Sequence, residues 1–470
     1  MSARKSPSPA LPSLFIALSL FVLLATACNK RNQAPPEQVR DQALAWNLKT
    51  TVEAYDAVGI KSPQWDEPAK KALTEFAHSR AKVVGPDEPW GEIISNNVAA
   101  AVDAGCTDPM VTYLYIRFAM PQSNSKEEFA KRFYATANAM NGSSYPPVRK
   151  FYATARAMEQ YYYTYDTKSN AQANAEVFGL LSALYQDVSE TMADKTIPST
   201  EASEITEQAL HLGSGDANNA DMFYNAIETP LLKNFANDYL PYYLKGNHYI
   251  ELAWRARGSG YADTVTKEGA ALFGTNIGIA REALEKAWAL SHKESGVPIQ
   301  MMTVVLGQGG DRKALELWFN RAMEADTNSY DACRNKMNFL DPKWYGSDEE
   351  QLAFGRECAD STKWGGHVPL ILVLAHNTIN LRLQGAAKTN YWKQPEVWSD
   401  LRTAYERYFE LNPDETYLYR DYARFAYRAE QWDKLNELIP KLKTSDYDFF
   451  GGKNEYDKMV QLAKEHNSSR

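Results

Sequence analysis

The sequence predicts an all-α fold built as a solenoid of helical hairpins, and three observations carry that expectation. First, residues 280–327 (AREALEKAWALSHKESGVPIQMMTVVLGQGGDRKALELWFNRAMEADT) read helix, turn, helix, turn, helix. Their outer helices share one pattern: Ala280, Leu284 and Ala287 recur as Leu315, Phe319 and Ala322, 35 residues on. A small residue within such a triplet lets helices approach closely while the large middle side chain fills the gap. Second, a similar spacing returns near the C-terminus, where Tyr408 and Leu442 lie 34 residues apart. Third, no stretch alternates apolar and polar residues as a half-buried strand would. A period near 34 residues is that of a tetratricopeptide-type (TPR-like) repeat.

Length and composition fit this. At 470 residues the chain is too long for one ordinary core, so it holds two or three domains or one elongated array. The apolar fraction is 44% and there are 28 tyrosines, a residue suited to half-buried helix faces where the ring packs and the hydroxyl stays wet. A net charge of −8 argues against nucleic acid as a partner, because phosphate binding needs a basic surface.

At the N-terminus, Arg4 and Lys5 precede an apolar run, LFIALSLFVLL, and then ATAC. The run is too short to span a bilayer comfortably and has the layout of a secretory signal peptide over residues 1–27. The small residues stop at Cys28, which resembles a bacterial lipobox, although Ala25 stands where a lipobox usually carries leucine. Lipidation of Cys28 would anchor the protein to a membrane. A plain signal peptide cut after Ala27 and a retained anchor are the alternatives. Asn29, rather than aspartate, after the cysteine resembles the sorting signal for the outer membrane, facing the periplasm. Residues 28–37, with two prolines, read as a tether.

Residues 38–196 are expected to form an N-terminal helical domain. Val39, Leu44, Trp46, Leu48, Val52 and Tyr55 make a first apolar stripe. A second helix follows Pro68, and a third runs from Trp90 to a glycine stop at Gly105. Asp108-Pro109 supplies an N-cap with proline in the first turn. Helices over about 126–140 and 147–164 flank the turn NGSSYPP, and another covers about 171–193. Residues 197–219, rich in Ser, Thr, Gly and Asn, read as a linker with one short helix. Residues 220–462 read as the repeat domain. There a helix ends at Arg257 with Gly258 as its cap, and Thr266 caps a helix leading to Phe273. Tyr419, Tyr422, Ala423 and Ala426 mark one late helix, and Leu435, Ile439 and Leu442 the next. Residues 463–470 are expected to be a disordered tail.

Several segments resemble a family of bacterial proteins known only by a domain-of-unknown-function label. They are YLKGNHYIELAWRARGSGYADTVT, LGQGGD with ELWFNRAMEAD, FLDPKWYGSDEEQLAFGREC, AGCTDPMVTYLYIRFA and YPPVRKFYATARA. The likeness covers roughly residues 90–440, with Tyr261 where a tryptophan is expected. It implies a TPR-like fold and no particular activity or ligand.

No catalytic set and no cofactor or metal site emerges. The seven histidines show no i, i+3 or i+4 partner, and HExxH is absent. The turn GQGGD lacks the GK[ST] of a phosphate loop. In WRARGSG, Arg255 and Arg257 beside Gly258 and Gly260 form a candidate anion-binding loop, the alternative being arginines that bond helix C-termini. Two tyrosine-dense segments, at 161–165 and 239–249, are read either as helix packing or as sugar platforms. Cys333 and Cys358 fall on consecutive helices and are a candidate disulfide in an oxidising compartment, against the alternative of buried free thiols. Cys106 is left without a partner. The function expected is a non-enzymatic lipoprotein whose helical array binds a protein or peptide. A glycan-binding lipoprotein and a helical-toroid enzyme acting on polysaccharide are the alternatives.

Overall fold

The computed structural model describes residues 37–81, 89–121, 124–166, 169–213, 217–260 and 262–468. Cys28 and the whole signal-like segment lie outside these residues. Every regular element described is helical, as the sequence predicts. The chain divides into two compact units, one running through Ser291 and the other starting at His292.

The N-terminal unit contains α1 (Glu37–Thr50), α2 (Val52–Val58), α3 (Asp66–Arg80), α4 (Trp90–Asp103), α5 (Pro109–Phe118), α6 (Lys126–Asn141), α7 (Pro147–Thr164), α8 (Ala171–Met192), α9 (Ser199–Gly213), α10 (Ala217–Asn234), α11 (Leu240–Arg257) and α12 (Lys267–Leu290). From α3 to α8 each helix packs on the next. Local chemistry sets the boundaries. After α4, Gly105 adopts φ 95°, and the Cys106 amide turns back to the carbonyl of Ala101. The Asp108 carboxylate then accepts from the amides of Met110 and Val111 to start α5. Thr266 accepts from Gly269 N to start α12, which runs on to Leu290 rather than stopping near Phe273.

The packing of α11 on α12 shows why small residues matter. A Cβ added at Gly246 would lie 2.4 Å from Cγ of Leu284, the large member of the triplet read from the sequence. Ala280, Leu284 and Ala287 are all fully buried.

The linker expected over 197–219 is corrected. The short helix expected there is present as α9, but Ala202, Ile205, Ala209 and Leu212 on it join the core of the N-terminal unit. Their 3-4-3 spacing makes one apolar face, which outweighs the polar composition of the segment.

The C-terminal unit contains α13 (Gly296–Gly307), α14 (Arg312–Ala325), α15 (Tyr330–Phe339), α16 (Asp348–Asp360), α17 (Ile371–Arg382), α18 (Gly385–Asn390), α19 (Pro395–Leu411), α20 (Tyr419–Arg428), α21 (Trp432–Leu438) and α22 (Lys453–Ser468). The turn between α13 and α14 uses Gly309 at φ 106° and Gly310 at φ 72°. Leu315, Phe319 and Ala322 are buried as well, and this second copy of the triplet belongs to the C-terminal unit whereas the first belongs to the N-terminal one. Tyr405 and Tyr422 stack at 4.8 Å between α19 and α20. At Pro440 the α-helix gives way to a single 3₁₀ turn, so Ile439 and Leu442 lie beyond α21.

The tail expected over 463–470 is also corrected. α22 continues to Ser468, Ala463 is fully buried, and Asn436 Nδ2 donates to its carbonyl at 2.9 Å. Within each unit most helices adjacent in sequence pack together, which is the local condition for a hairpin array.

Candidate functional site

The largest fully buried side chain is an arginine, Arg149, in the first turn of α7. It occupies the apolar face of that helix beside Val148, Phe151 and Tyr152. Burying a guanidinium is costly unless acceptors meet it. Here α1 supplies them. Arg149 Nη2 donates to Asn47 Oδ1 at 2.7 Å and to Thr50 Oγ1 at 2.6 Å, and Nε donates to the Thr50 carbonyl at 3.2 Å. Thr50 in turn donates to the carbonyl of Trp46, and Asn47 Nδ2 to that of Ala43. The buried face of α1 therefore runs through Ala43, Trp46, Asn47 and Thr50, while Leu44, Leu48 and Val52 of the predicted stripe are only half-buried.

One turn further along α7, Tyr152 joins a second arginine. Its hydroxyl donates to Glu201 Oε1 of α9 at 2.5 Å, and Arg80 Nη2 at the end of α3 donates to that hydroxyl and to Glu201 at 2.9 Å. Glu204, at the exposed edge, takes both terminal nitrogens of Arg80. Two guanidiniums and two carboxylates thus gather from α3, α7 and α9. Burial pushes Arg149 down to about 10, which leaves it cationic at neutral pH. Burial alone would raise Glu201, but Arg80 and Arg149 outweigh it and hold the carboxyl below its usual range. Burial also keeps the Tyr152 phenol protonated, its hydroxyl donating to Glu201. Fixed charges, short bonds and burial make this cluster a tie between helices far apart in sequence.

The nominated anion loop has different partners. Arg255 bonds Asp221 of α10 at 2.5 Å, and Arg257 donates to the carbonyls of Gly258 and Gly260 at 3.3 and 3.1 Å while lying over the Trp254 ring. Arg255 thus serves a carboxylate on another helix, and Arg257 the carbonyls just beyond the end of α11. Near Arg255, His248 stacks on Tyr224 at 4.0 Å, and burial pushes it down to about 4.

In the C-terminal unit, His376 is buried between the Tyr391 hydroxyl at 2.8 Å and Asp400 Oδ2 at 3.1 Å, and Arg356 holds the same Asp400 through two nitrogens. His367 lies instead against Tyr408, so the two histidines flanking VPLILVLA do not converge. Among the described residues, no group of three His, Cys, Asp or Glu side chains is placed to hold a metal ion.

Cys333 and Cys358 are both fully buried free thiols, and Cys333 Sγ lies 3.8 Å from Met323 Sδ. Cys106 is a buried thiol in the other unit. All eleven tryptophans are buried or half-buried, whereas Tyr163 is 75% and Phe178 69% exposed. No described helix is long and apolar enough to cross a membrane.

Sequence reasoning missed Arg149, Tyr152, Arg80 and Glu201. The available signal was a lone arginine on the apolar face of α7 and the polar pair Asn47 and Thr50, one turn apart. No protein-family model matches the chain, and no curated protein shows significant similarity to it.

Proposed function

We propose that the protein is a TPR-like lipoprotein that binds a protein or peptide on the periplasmic face of a bacterial membrane, through surfaces of its helical hairpins. The observation that carries this reading is the exposure of aromatic side chains on two packed helices. Tyr162 and Tyr163 stand at the end of α7 and Phe178 on α8, all facing water. Rings left in solvent on rigid helices suit partner contact, since such side chains lose little entropy when covered. The arginine cluster supports the same reading by fixing α1, α3, α7 and α9 rather than leaving charge free for reaction chemistry. A sugar platform of exposed tryptophans is disfavoured, because none of the eleven is exposed.

Attachment through Cys28 completes the proposal. Metabolic labelling with an acyl analogue should tag the wild type and miss Cys28→Ser, and equal labelling of both would reject lipidation. Photo-crosslinking in intact cells from position 163 should give a discrete protein adduct that position 53, on α2, does not give. A glycan-array signal abolished by Tyr163→Ala, without any protein adduct, would instead favour the glycan-binding alternative.

A further inference from the structure

We propose that the arginine row of α20 is a docking site for an acidic peptide segment, with Arg424 and Arg428 taking its carboxylates. The site stands on the C-terminal unit alone, so a failed crosslink from position 163 leaves it untouched.

Arg420, Arg424 and Arg428 follow one another at i, i+4 and i+8, so one face of α20 carries three guanidiniums over about 12 Å. Like charges one turn apart repel unless an anion lies between them. The protein supplies few. Asp421 accepts from Arg424 Nη2 at 2.8 Å, whereas Asp421 and Asp446 approach Arg420 only to 3.8 and 3.7 Å, beyond hydrogen-bond reach. Nε of Arg420 and Nε of Arg424 are buried without an acceptor. Among the described residues, the exposed Arg428 guanidinium has neither a hydrogen bond nor an ion pair.

Aromatic rings hold the row in place. Phe449 lies 4.6 Å from the Arg420 guanidinium and 4.3 Å from that of Arg424. The Tyr417 ring lies 3.7 Å from Arg420, whose Nη2 donates to the Tyr417 hydroxyl. Arg424 and Arg428 are 5.8 and 6.0 Å from one ring, the buried Phe425. A ring against the flat face of a guanidinium leaves the edge donors free for a forked pair with a carboxylate.

Spacing selects the ligand. Arginines one turn apart on α20 are about 6 Å apart along its axis, and alternate residues of an extended chain are about 6.6 Å apart on one side. A segment with acidic residues at every second position therefore sets one carboxylate against Arg424 and the next against Arg428. A free phosphate, being a single group, makes no use of that spacing. An anionic bilayer is disfavoured, because the chain carries a net charge of −8 and the Arg420 and Arg424 side chains are only 18% and 33% exposed.

The test follows the fluorescence anisotropy of a labelled peptide, Gly-Asp-Gly-Asp-Gly-Asp-Gly, titrated with the full chain purified in detergent. Its asparagine counterpart is the neutral probe, and inorganic phosphate and glycerol phosphate are the competitors. The expected result is saturable binding of the acidic peptide alone, weakened by added salt and weakened about tenfold by Arg428→Gln. Arg428→Lys should fall in between, keeping the charge and losing the fork. Because the Arg428 guanidinium bonds nothing in the fold, Arg428→Gln should keep the unfolding midpoint of the parent. Should it unfold instead, Arg428→Lys and the asparagine peptide decide. Arg281→Gln, which removes an exposed arginine of the N-terminal unit, should leave the affinity unchanged. Absence of saturable binding, equal binding of the asparagine peptide, or an affinity indifferent to Arg428→Gln would each overturn the proposal. Displacement of the peptide by equimolar phosphate or glycerol phosphate would also overturn it, marking a general oxyanion or headgroup site in its place.

Discussion

The N-terminal unit sets a buried guanidinium at its centre, Arg149, ringed by Asn47 and Thr50 and flanked by the Arg80–Tyr152–Glu201 contacts. The C-terminal unit fills a comparable interior with rings: Trp398, Tyr405, Phe409, Tyr419 and Tyr422 are linked by successive stacked pairs across α19 and α20. The two solutions differ in how they fail. An ion cluster is demanding, because removing one member leaves the others buried without partners. A stack of rings is forgiving, because losing one leaves a smaller apolar contact. The same helical architecture thus takes its specificity from charge in one unit and from shape in the other.

Removing Arg149 should have the largest effect. Arg149→Ala strands Asn47 and Thr50 and opens a cavity, at a cost of about 3–5 kcal/mol. Hydrogen exchange should rise through α1, α3, α7 and α9 while the C-terminal unit keeps its protection. Loss of protection in both units alike would dissolve the contrast between them.

Asp187, on α8, gives a pH-dependent effect of the next size. It is buried with Oδ2 unpartnered, and burial pushes it up to about 7. Between about pH 4 and 7 the folded state therefore carries a proton that the unfolded chain, with its ordinary carboxyl near 3.9, does not. Stability is lost as pH rises through that window and stays low above it. Asp187→Asn should be more stable than its parent by roughly 2–4 kcal/mol at pH 8, and the difference should shrink below pH 7 and vanish near pH 4. Denaturant titrations at several pH values measure this; a pH-independent difference would contradict it. His248 works in the opposite sense. Its depressed value means that stability is present above about pH 6.5 and is lost as pH falls towards 4.

Tyr405→Leu tests the rings. It keeps apolar volume and removes stacking on Tyr422, so a loss of about 1–2 kcal/mol is expected, confined to the C-terminal unit. A loss as large as that of Arg149→Ala would mean that the ring stack is as intolerant as the ion cluster. Smallest is Thr266→Ala, which deletes the cap on Gly269 N and should cost about 1 kcal/mol, read as faster exchange in the first turn of α12.

Helix ends were legible where a side chain or glycine acts on its own neighbours, as at Asp108, Gly258 and Thr266. The arginine cluster was not, because its bonds join positions far apart: Arg149 and Asn47 are separated by 102 residues, and Arg80 and Glu201 by 121. A periodicity search also discounts Asn47 and Thr50 for being polar, although their polarity is what admits the guanidinium. The segment at 197–219 was misjudged for the converse reason, its composition having been weighed above its spacing. Cys333 and Cys358 do fall on consecutive helices, α15 and α16, and both are buried free thiols.

The shielding of the tryptophans has a spectroscopic consequence. Five lie in the N-terminal unit and six in the C-terminal unit, all buried or half-buried, so native emission should be blue-shifted and should move to the red as either unit opens. Trp46 has the Arg149 guanidinium 5.8 Å from its ring, which makes its emission a local reporter of the ion cluster. A chain carrying Trp46 alone, the other ten replaced by phenylalanine, would let the loosening of α1 be followed optically, apart from the melting of the ring-filled unit.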